Sequence, residues 1–216
     1  MQSNDFWTNV HKMGYKNADW IDKPSLFVSQ VVDLLPKEGK LLDLGAGQGQ
    51  DSRFFARAGY KVISTDLNEA ALSLSKAKAD DDVSDLEFKV VDIGKKFSFD
   101  DQSYDVVYSH LGLHYFDKQT TRGVLEEIKR VLKPGGVLAF LANTIEDPEI
   151  KEEGFVRIED HFYKEQETGL FKAYFTVGFV EELIEGLFEP ILLDAEGETY
   201  KDGIKTLIRF VGRRIK

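Results

Sequence analysis

Cysteine is absent from the 216-residue sequence. Disulfide scaffolds, zinc sites built on cysteine and thiolate nucleophiles are therefore excluded. The longest purely apolar run covers 137–142, far short of the roughly 20 apolar residues that a membrane-spanning helix needs. The first residues lack the basic flank and the apolar stretch of a signal peptide. These absences predict a cytoplasmic protein with no membrane partner.

Basic residues are also in deficit. Lysine and arginine number 28 against 38 acidic residues, which gives a formal net charge of -10. A protein that tracks a nucleic-acid backbone needs a basic face, so we expect no nucleic-acid partner. A chain of this length is most simply one domain with a substantial core. The range 1–216 is therefore predicted to be a single domain.

The hydrophobic pattern alternates between strand and helix over the first two thirds of the sequence. Strands are predicted at 40–45, 61–66, 86–91, 104–109 and 137–142, and helices at 24–35, 50–58, 68–79 and up to 133. Alternation of this kind is typical of a parallel sheet covered by helices. The acidic run 80–82 is predicted to be a solvated loop.

The last third of the sequence has a different pattern. Thr176 is predicted to cap a helix, and 190–194 and 206–211 are predicted strands. Their polar connection leaves no room for a crossover helix, so the two strands should pair antiparallel. The fold class predicted is α/β, with a mostly parallel sheet that ends in an antiparallel hairpin.

The most informative motif runs from Leu41 to Ser52 and reads as strand, glycine turn and helix start. Such a unit directs backbone N–H groups and a positive helix end at a ligand. Asp43 lies near the end of the apolar strand, where a carboxylate is costly to bury unless it is paired. A ligand with a cationic amino-acid end, such as S-adenosylmethionine (SAM), suits this acid better than a dinucleotide pyrophosphate does. The dinucleotide spacing would also require glycine at position 50, which is Gln50.

The motif resembles the (D/E)-x-G-x-G-x-G signature of the class I SAM-dependent methyltransferases. Its fixed positions are matched by Asp43, Gly45, Gly47 and Gly49. The resemblance covers about 40–143 by motif and the terminal hairpin by architecture. It implies a Rossmann-like three-layer sandwich with a seven-stranded sheet, and SAM as cofactor.

Further acids stand at the ends of the second and third predicted strands. Asp66 could accept from the ribose hydroxyls, with Leu67 against the adenine ring, although an exposed helix-capping aspartate is the plain alternative. Asp92 and Ile93 match the family's adenine contact, and the alternative is a turn-forming aspartate before Gly94. The predicted cofactor-binding residues are Asp43, Gly45, Ala46, Gly47, Gln48, Gly49, Asp66, Leu67, Asp92, Ile93, Ser109, His110 and Leu111.

Histidine supplies the candidate general bases, which are needed only if the acceptor atom must lose a proton. The segment around His110 resembles the family's fourth motif, which makes His110 the first candidate. His114 would share a face with it if this turn were helical. His161 is the second candidate because aromatic residues surround it. No metal ligand set is predicted.

Two segments are predicted to close the site. The aromatic-rich stretch 144–175 is predicted as a lid insertion, with a hairpin formed by 160–164 and 169–175. Its aromatics could instead merely pack the hairpin onto the sheet. The range 1–36 is predicted as an N-terminal helical cap.

The resemblance implies methyl transfer to an acceptor by in-line displacement, and a small-molecule acceptor is the default. The (D/N)-P-P-(Y/F/W) sequence of amino-methylating DNA enzymes is absent after strand four, and cytosine C5 enzymes need cysteine. Two alternatives stay open. The chain could be a non-catalytic SAM-binding regulatory subunit, or an NAD-type oxidoreductase, which Asp43 and Gln50 disfavour.

Overall fold

A computed structural model describes residues 4–15, 20–79, 85–200 and 206–216. The helices are α1 (Asn4–Asn9), α2 (Leu26–Val31), α3 (Gln50–Arg57), α4 (Glu69–Ala77), α5 (Lys118–Val131) and α6 (Val177–Ile184). The strands are β1 (Gly39–Leu44), β2 (Tyr60–Asp66), β3 (Leu86–Val90), β4 (Tyr104–His110), β5 (Leu132–Asn143), β6 (Phe155–Glu159), β7 (Phe162–Glu165), β8 (Phe171–Ala173), β9 (Phe188–Gly197) and β10 (Leu207–Arg214). A π-helix follows α1 at Val10–Gly14. The predicted loop 80–82 lies outside the described residues.

Seven strands form the central sheet in the order β3-β2-β1-β4-β5-β10-β9. The first five are parallel: Leu41 of β1, for example, lies opposite Val62 of β2 and Val106 of β4. β10 is antiparallel to both of its neighbours, β5 and β9. The predicted fold class is therefore confirmed, including the terminal antiparallel pair.

Side chains alternate across this sheet and build a core on each face. Leu42 and Leu44 of β1 pack with α5 and α6 on one face, and Leu41 packs with α2 and α3 on the other. Strand β5 divides in the same way, with Phe140 on the first face and Leu141 on the second. Helices on both faces give the three-layer arrangement of a parallel sheet.

Side-chain oxygens cap α2, α4, α5 and α6 at their N-termini. Asn68 accepts from the N–H of Ala71 at 2.9 Å, and Thr176 accepts from the N–H of Phe179 at 3.0 Å, which confirms the cap predicted at Thr176. The start of α2 differs from the prediction, because Ser25 rather than Pro24 precedes its first turn and accepts from Val28. The serine hydroxyl accepts a hydrogen bond from a backbone N–H group of the first turn, which a proline side chain cannot do.

A second, three-stranded sheet lies between β5 and α6 in the sequence, in the order β6-β7-β8. β7 and β8 form the hairpin predicted for this region, with Phe162 opposite Ala173. Strand β6 was not predicted, and it pairs with β7 alone. Among the described residues, no helix is both long and apolar enough to cross a membrane.

We expect Gly49→Ala to lower the free energy of unfolding by about 2–4 kcal/mol. Gly49 has a φ of +69°, and an added Cβ would lie 1.9 Å from Oγ of Ser75. Left-handed backbone costs an alanine about 1–2 kcal/mol, and overpacking adds about 1–3 kcal/mol. Urea denaturation measures the loss.

Two matched variants separate these causes. Gly59 has a φ of +96° and nothing within 4 Å of its would-be Cβ, so Gly59→Ala should carry backbone strain alone. Adding Ser75→Ala to Gly49→Ala should restore part of the stability, since the buried Ser75 hydroxyl makes no hydrogen bond among the described residues. Equal losses at both glycines without recovery would contradict the steric explanation.

Candidate functional site

A cavity of about 780 Å³ opens at the carboxyl ends of the parallel strands. This is the edge at which open α/β sheets bind ligands. Its floor includes Asp43 at the end of β1 and Asp66 at the end of β2. The N-terminal segment around α1 lines one side, and residues of the three-stranded sheet line another.

The glycine turn between β1 and α3 forms the centre of this floor. Gly45, Gly47 and Gly49 have φ values of +74°, +56° and +69°, which L-residues with a Cβ rarely adopt. The N–H of Gly47 donates to Oδ2 of Asp66 at 2.9 Å. The N–H of Ala46 donates to the carbonyl oxygen of Thr65 at 2.7 Å. The turn is therefore tied to the end of β2 at two points.

The carboxyl group of Asp43 lies beneath this turn and is 1% exposed. The hydroxyl of Ser52 donates to its Oδ2 at 2.5 Å and also lies 2.8 Å from the hydroxyl of Ser64. Burial, together with the neighbouring acids Asp51 and Asp66, raises the pKa of Asp43 to about 8, although the hydrogen bond from Ser52 opposes the shift. A carboxyl group in this state favours a positively charged ligand at the floor of the cavity.

The acids at the ends of β2 and β3 both line the cavity and also hold local structure. Oδ1 of Asp66 accepts from the N–H of Asn68 at 2.8 Å. Oδ1 of Asp92 accepts from Gly94 at 3.1 Å, and Lys95 lies 2.9 Å from its Oδ2. The local roles that were the alternatives to ligand binding are thus present, and both carboxylates still face the cavity.

The cavity lining includes eleven of the thirteen predicted cofactor-binding residues. They are Asp43, Gly45, Ala46, Gly47, Gln48, Asp66, Leu67, Asp92, Ile93, His110 and Leu111. Gly49 and Ser109 are not among them. Gly49 precedes the first turn of α3, and the hydroxyl of Ser109 donates to the carbonyl oxygen of Leu44 at 2.8 Å. Both residues therefore help to fix the turn and strand that form the floor, without lining the cavity themselves.

The histidines take three different positions. His110 is the last residue of β4 and lines the cavity. The chain after it is not helical, and Leu111 has a φ of +57°, so the expected helical face shared with His114 does not exist. His114 lines the cavity while being buried. His161 lies outside the lining, where its ring stacks on Phe179 at 4.3 Å and its Nδ1 lies 3.0 Å from the carbonyl oxygen of Tyr174.

The N-terminal segment contributes residues that the sequence did not single out as site residues. The side-chain amide of Gln48 donates to the carbonyl oxygen of His11 at 3.1 Å, and Asn68 donates to the Thr8 hydroxyl at 2.8 Å. The imidazole of His11 lies against Gly47, and burial lowers its pKa while Asp66 opposes that shift. A short helix followed by a π-helix has no sustained 3.6-residue periodicity, so no sequence signal marks this segment.

Asp51 is a second residue that sequence reasoning missed. It is buried in the first turn of α3, and its carboxylate accepts from the N–H of Ser25 at 2.6 Å and from the hydroxyl of Tyr108 at 2.8 Å. Burial raises the pKa of Tyr108 well above its usual value, and the charge of Asp51 adds to that shift. This network joins the start of α2, the glycine turn and β4. The only sequence signal for Asp51 was its place in the motif, next to Ser52.

The three-stranded sheet supplies the wall opposite the glycine turn. Phe162 and Phe171 stack at 5.5 Å, and both line the cavity. Other aromatics of the same segment, including Phe175, pack into the core instead. Phe162 also packs against that core, so the aromatics of this segment pack onto the sheet and line the cavity, and a lid function stays a prediction. Lys172 on this wall lies 3.2 Å from both carboxylate oxygens of Glu149.

Comparisons with known proteins indicate a methyltransferase domain in the part of the chain that contains the glycine turn. Residues 41–136 match the family model of a methyltransferase domain. A putative methyltransferase of Bacillus subtilis is 37% identical over 109 residues, which cover 49% of this chain and 43% of that protein. The chain thus spans less than half the length of this curated relative.

Solved structures share the fold over most of the chain. A SAM-dependent methyltransferase of Methanosarcina mazei has a TM-score of 0.69 at 24% identity, covering 86% of this chain and 97% of its own. The 1,6-didemethyltoxoflavin-N1-methyltransferase of Burkholderia thailandensis, solved with 1,6-didemethyltoxoflavin and S-adenosylhomocysteine bound, has a TM-score of 0.72 at 16% identity, covering 98% and 86%. Residues 41–136 thus match a methyltransferase domain that contains the glycine motif, and the chain shares its fold with SAM-dependent methyltransferases.

Proposed function

We propose that the chain transfers the methyl group of SAM to a small-molecule acceptor by in-line displacement. The observation that carries this proposal is the buried carboxyl group of Asp43 beneath a glycine turn. A cavity of about 780 Å³ lies above it. That volume is within the range of small-ligand sites. No cationic side chain from the described part of the chain pairs with this buried acid. A ligand that brings positive charge would therefore stabilise its ionised form, and SAM carries an ammonium group and a sulfonium.

The lining residues fit the parts of SAM in the order that the strands impose. Asp43 suits the ammonium end, either directly or through one water. Asp66 suits the ribose hydroxyls, because a carboxylate accepts strong bonds from paired O–H groups. Asp92 and the backbone of Ile93 suit the adenine edge. Leu67 is 45% exposed and gives the ring an apolar surface to cover.

The protein's contribution to the reaction is alignment and exclusion of water. When bound, SAM supplies a methyl group whose bond to sulfur breaks as the acceptor's lone pair forms the new bond, and sulfur leaves as a neutral thioether. Holding three atoms in line can lower the barrier by about 7–11 kcal/mol. His110, at the end of β4, is the proposed general base where the acceptor atom must lose a proton.

A small acceptor is supported by the enclosure of the cavity. The N-terminal segment and the three-stranded sheet both contribute lining residues, including Trp7 and Phe162. The structural neighbour from Burkholderia thailandensis was solved with 1,6-didemethyltoxoflavin bound. A regulatory subunit that binds SAM without turnover is the alternative, and methyl transfer by the isolated chain decides against it.

We expect SAM binding near pH 7 to release a proton from Asp43. In the folded protein the carboxyl group of Asp43 has a pKa of about 8. In an unfolded chain the same group loses its proton near pH 4. Stability without ligand should therefore fall as pH rises through that window, while SAM affinity should rise. Calorimetric titration in phosphate and in Tris measures the released proton.

The isosteric variant Asp43→Asn provides the control for that experiment. It should fold, release no proton and bind SAM at least tenfold more weakly, which corresponds to about 1.4 kcal/mol. A proton balance of zero for the unaltered protein would show that no cation faces Asp43.

Asp66→Asn should weaken binding of both SAM and S-adenosylhomocysteine by roughly ten- to a hundredfold, through loss of charge-assisted bonds to the ribose. Asparagine keeps one acceptor oxygen, so only one of the two backbone N–H groups that Asp66 binds, those of Gly47 and Asn68, stays paired. Glu69→Gln, an exposed acid of α4 outside the cavity, is the matched control. Parallel titration with NAD and NADP should show no binding, and binding of the nicotinamides alone would support the oxidoreductase alternative.

His110→Gln should lower kcat by about 10²–10⁴-fold, the usual contribution of a general base, while SAM affinity changes little. The alkaline plateau of the pH–rate profile should be the part most reduced. The same substitution at His161 decides between the two candidates, since that ring stacks on Phe179 outside the cavity. An unaltered rate at every pH would remove the base role from His110.

A further inference from the structure

The charges that line the cavity are strongly unequal. Eight carboxylic acids line it among the described residues: Asp43, Asp51, Asp66, Asp92, Asp117, Asp147, Glu149 and Glu165. Lysine contributes two residues, Lys23 and Lys172, and arginine contributes none. Four of the acids belong to the floor around the glycine turn. The other four lie on the acceptor wall, which we define as Asp117, Asp147, Glu149, Glu165 and Lys172.

Lys172 does not make the acceptor wall attractive to an anion. Its ammonium group lies 3.2 Å from both oxygens of Glu149 and 3.7 Å from Oε2 of Glu165. Its side chain is 15% exposed. Glu149 is fixed further by the hydroxyl of Tyr174, which donates to Oε1 at 2.5 Å. Lys172 and Glu149 thus form an internal ion pair, and the remaining carboxylates of the wall are in excess.

Glu165 is the carboxylate of the acceptor wall that is best placed to bind a ligand. The hydroxyl of Thr168 donates to its Oε2 at 2.6 Å, and Lys172 approaches the same oxygen. No donor from the described residues reaches Oε1 of Glu165. Its side chain is 20% exposed, so the carboxylate is oriented by its neighbours and has one oxygen available to the cavity.

Aromatic rings line the cavity together with these acids. Tyr115 lies edge-on to Trp7, with ring centroids 5.4 Å apart, and both line the cavity. Burial raises the pKa of Tyr115, and the charges of Glu149, Asp66 and Glu165 raise it further, which places this ring within the field of both acidic sides. Ring faces and excess carboxylates together attract a cation that carries an apolar body.

We infer that the acceptor is a small aromatic or apolar molecule bearing a positively charged amino group, which Glu165 anchors while the body lies among Trp7, Tyr115 and Phe171. This rests on the proposed function, because the cavity must hold the cofactor and the acceptor together. An anionic acceptor is disfavoured, since the acceptor wall carries four carboxylates and one ammonium group that is already paired.

Three probes of the same size test the charge preference: tyramine, 4-(2-hydroxyethyl)phenol and 4-hydroxyphenylacetate. They share a phenol ring and differ in a cationic, neutral or anionic tail. Each is titrated calorimetrically into the full chain saturated with S-adenosylhomocysteine. Tyramine should bind at least tenfold more tightly than the alcohol, and the acid should bind most weakly.

Glu165→Gln should weaken tyramine binding about tenfold and change the affinity for the alcohol less than threefold. Glu167→Gln is the matched control, because it alters the net charge equally at an exposed residue outside the lining. Unchanged affinity of both variants for S-adenosylhomocysteine shows that they are folded.

The titration with S-adenosylhomocysteine alone separates the two possible failures. If it does not bind, the proposed function fails. If it binds and the three probes bind equally, the acid binds best, or none binds, then the charge preference is overturned and the cofactor assignment stands. Equal loss of tyramine binding in Glu165→Gln and Glu167→Gln would also overturn the anchoring role.

Discussion

The buried carboxyl group of Asp43 is the constraint on which the geometry of the site depends. It lies at the end of an otherwise apolar strand, where an unsatisfied polar group is costly. Ser52 supplies its hydrogen bond from the first turn of α3, and Ser64 of β2 closes the cluster. Residues 43 and 52 can meet only if the chain between them turns tightly. The three left-handed glycines provide that turn, and hydrogen bonds from the N–H groups of Ala46 and Gly47 fix it to the end of β2.

Much of this floor could be predicted because its signals are local. The strand pattern, the glycine spacing and the acids at strand ends all lie within short stretches of sequence. In a parallel sheet the carboxyl ends meet at one edge, so Asp43, Asp66 and Asp92 were expected together. The caps at Asn68 and Thr176 follow from equally local chemistry. The parallel arrangement of the first five strands follows from the alternation of strands and helices, but their order in the sheet was not predicted.

The walls of the cavity depend instead on contacts between distant parts of the sequence. Thr8 meets Asn68, and Ser25 meets Asp51, pairings that no periodicity encodes. Strand β6 escaped prediction because its apolar residues Val156 and Ile158 are exposed rather than buried. His161 lies among aromatic residues as expected, yet its ring stacks within the protein. Local composition predicts which residue types surround a side chain, but packing in the folded protein determines which way that side chain faces.

The position of β10 has a consequence for how the protein folds. It follows β9 in the sequence and yet lies inside the sheet, between β9 and β5, with Leu207 opposite Asn143. Joining those residues closes a loop of about sixty residues, and the entropy of closing such long loops slows folding. Strands β1 to β5 can pair before this step. The three-stranded sheet lies within the closed loop, so the part of the cavity that it lines should become ordered after the part lined by the glycine turn.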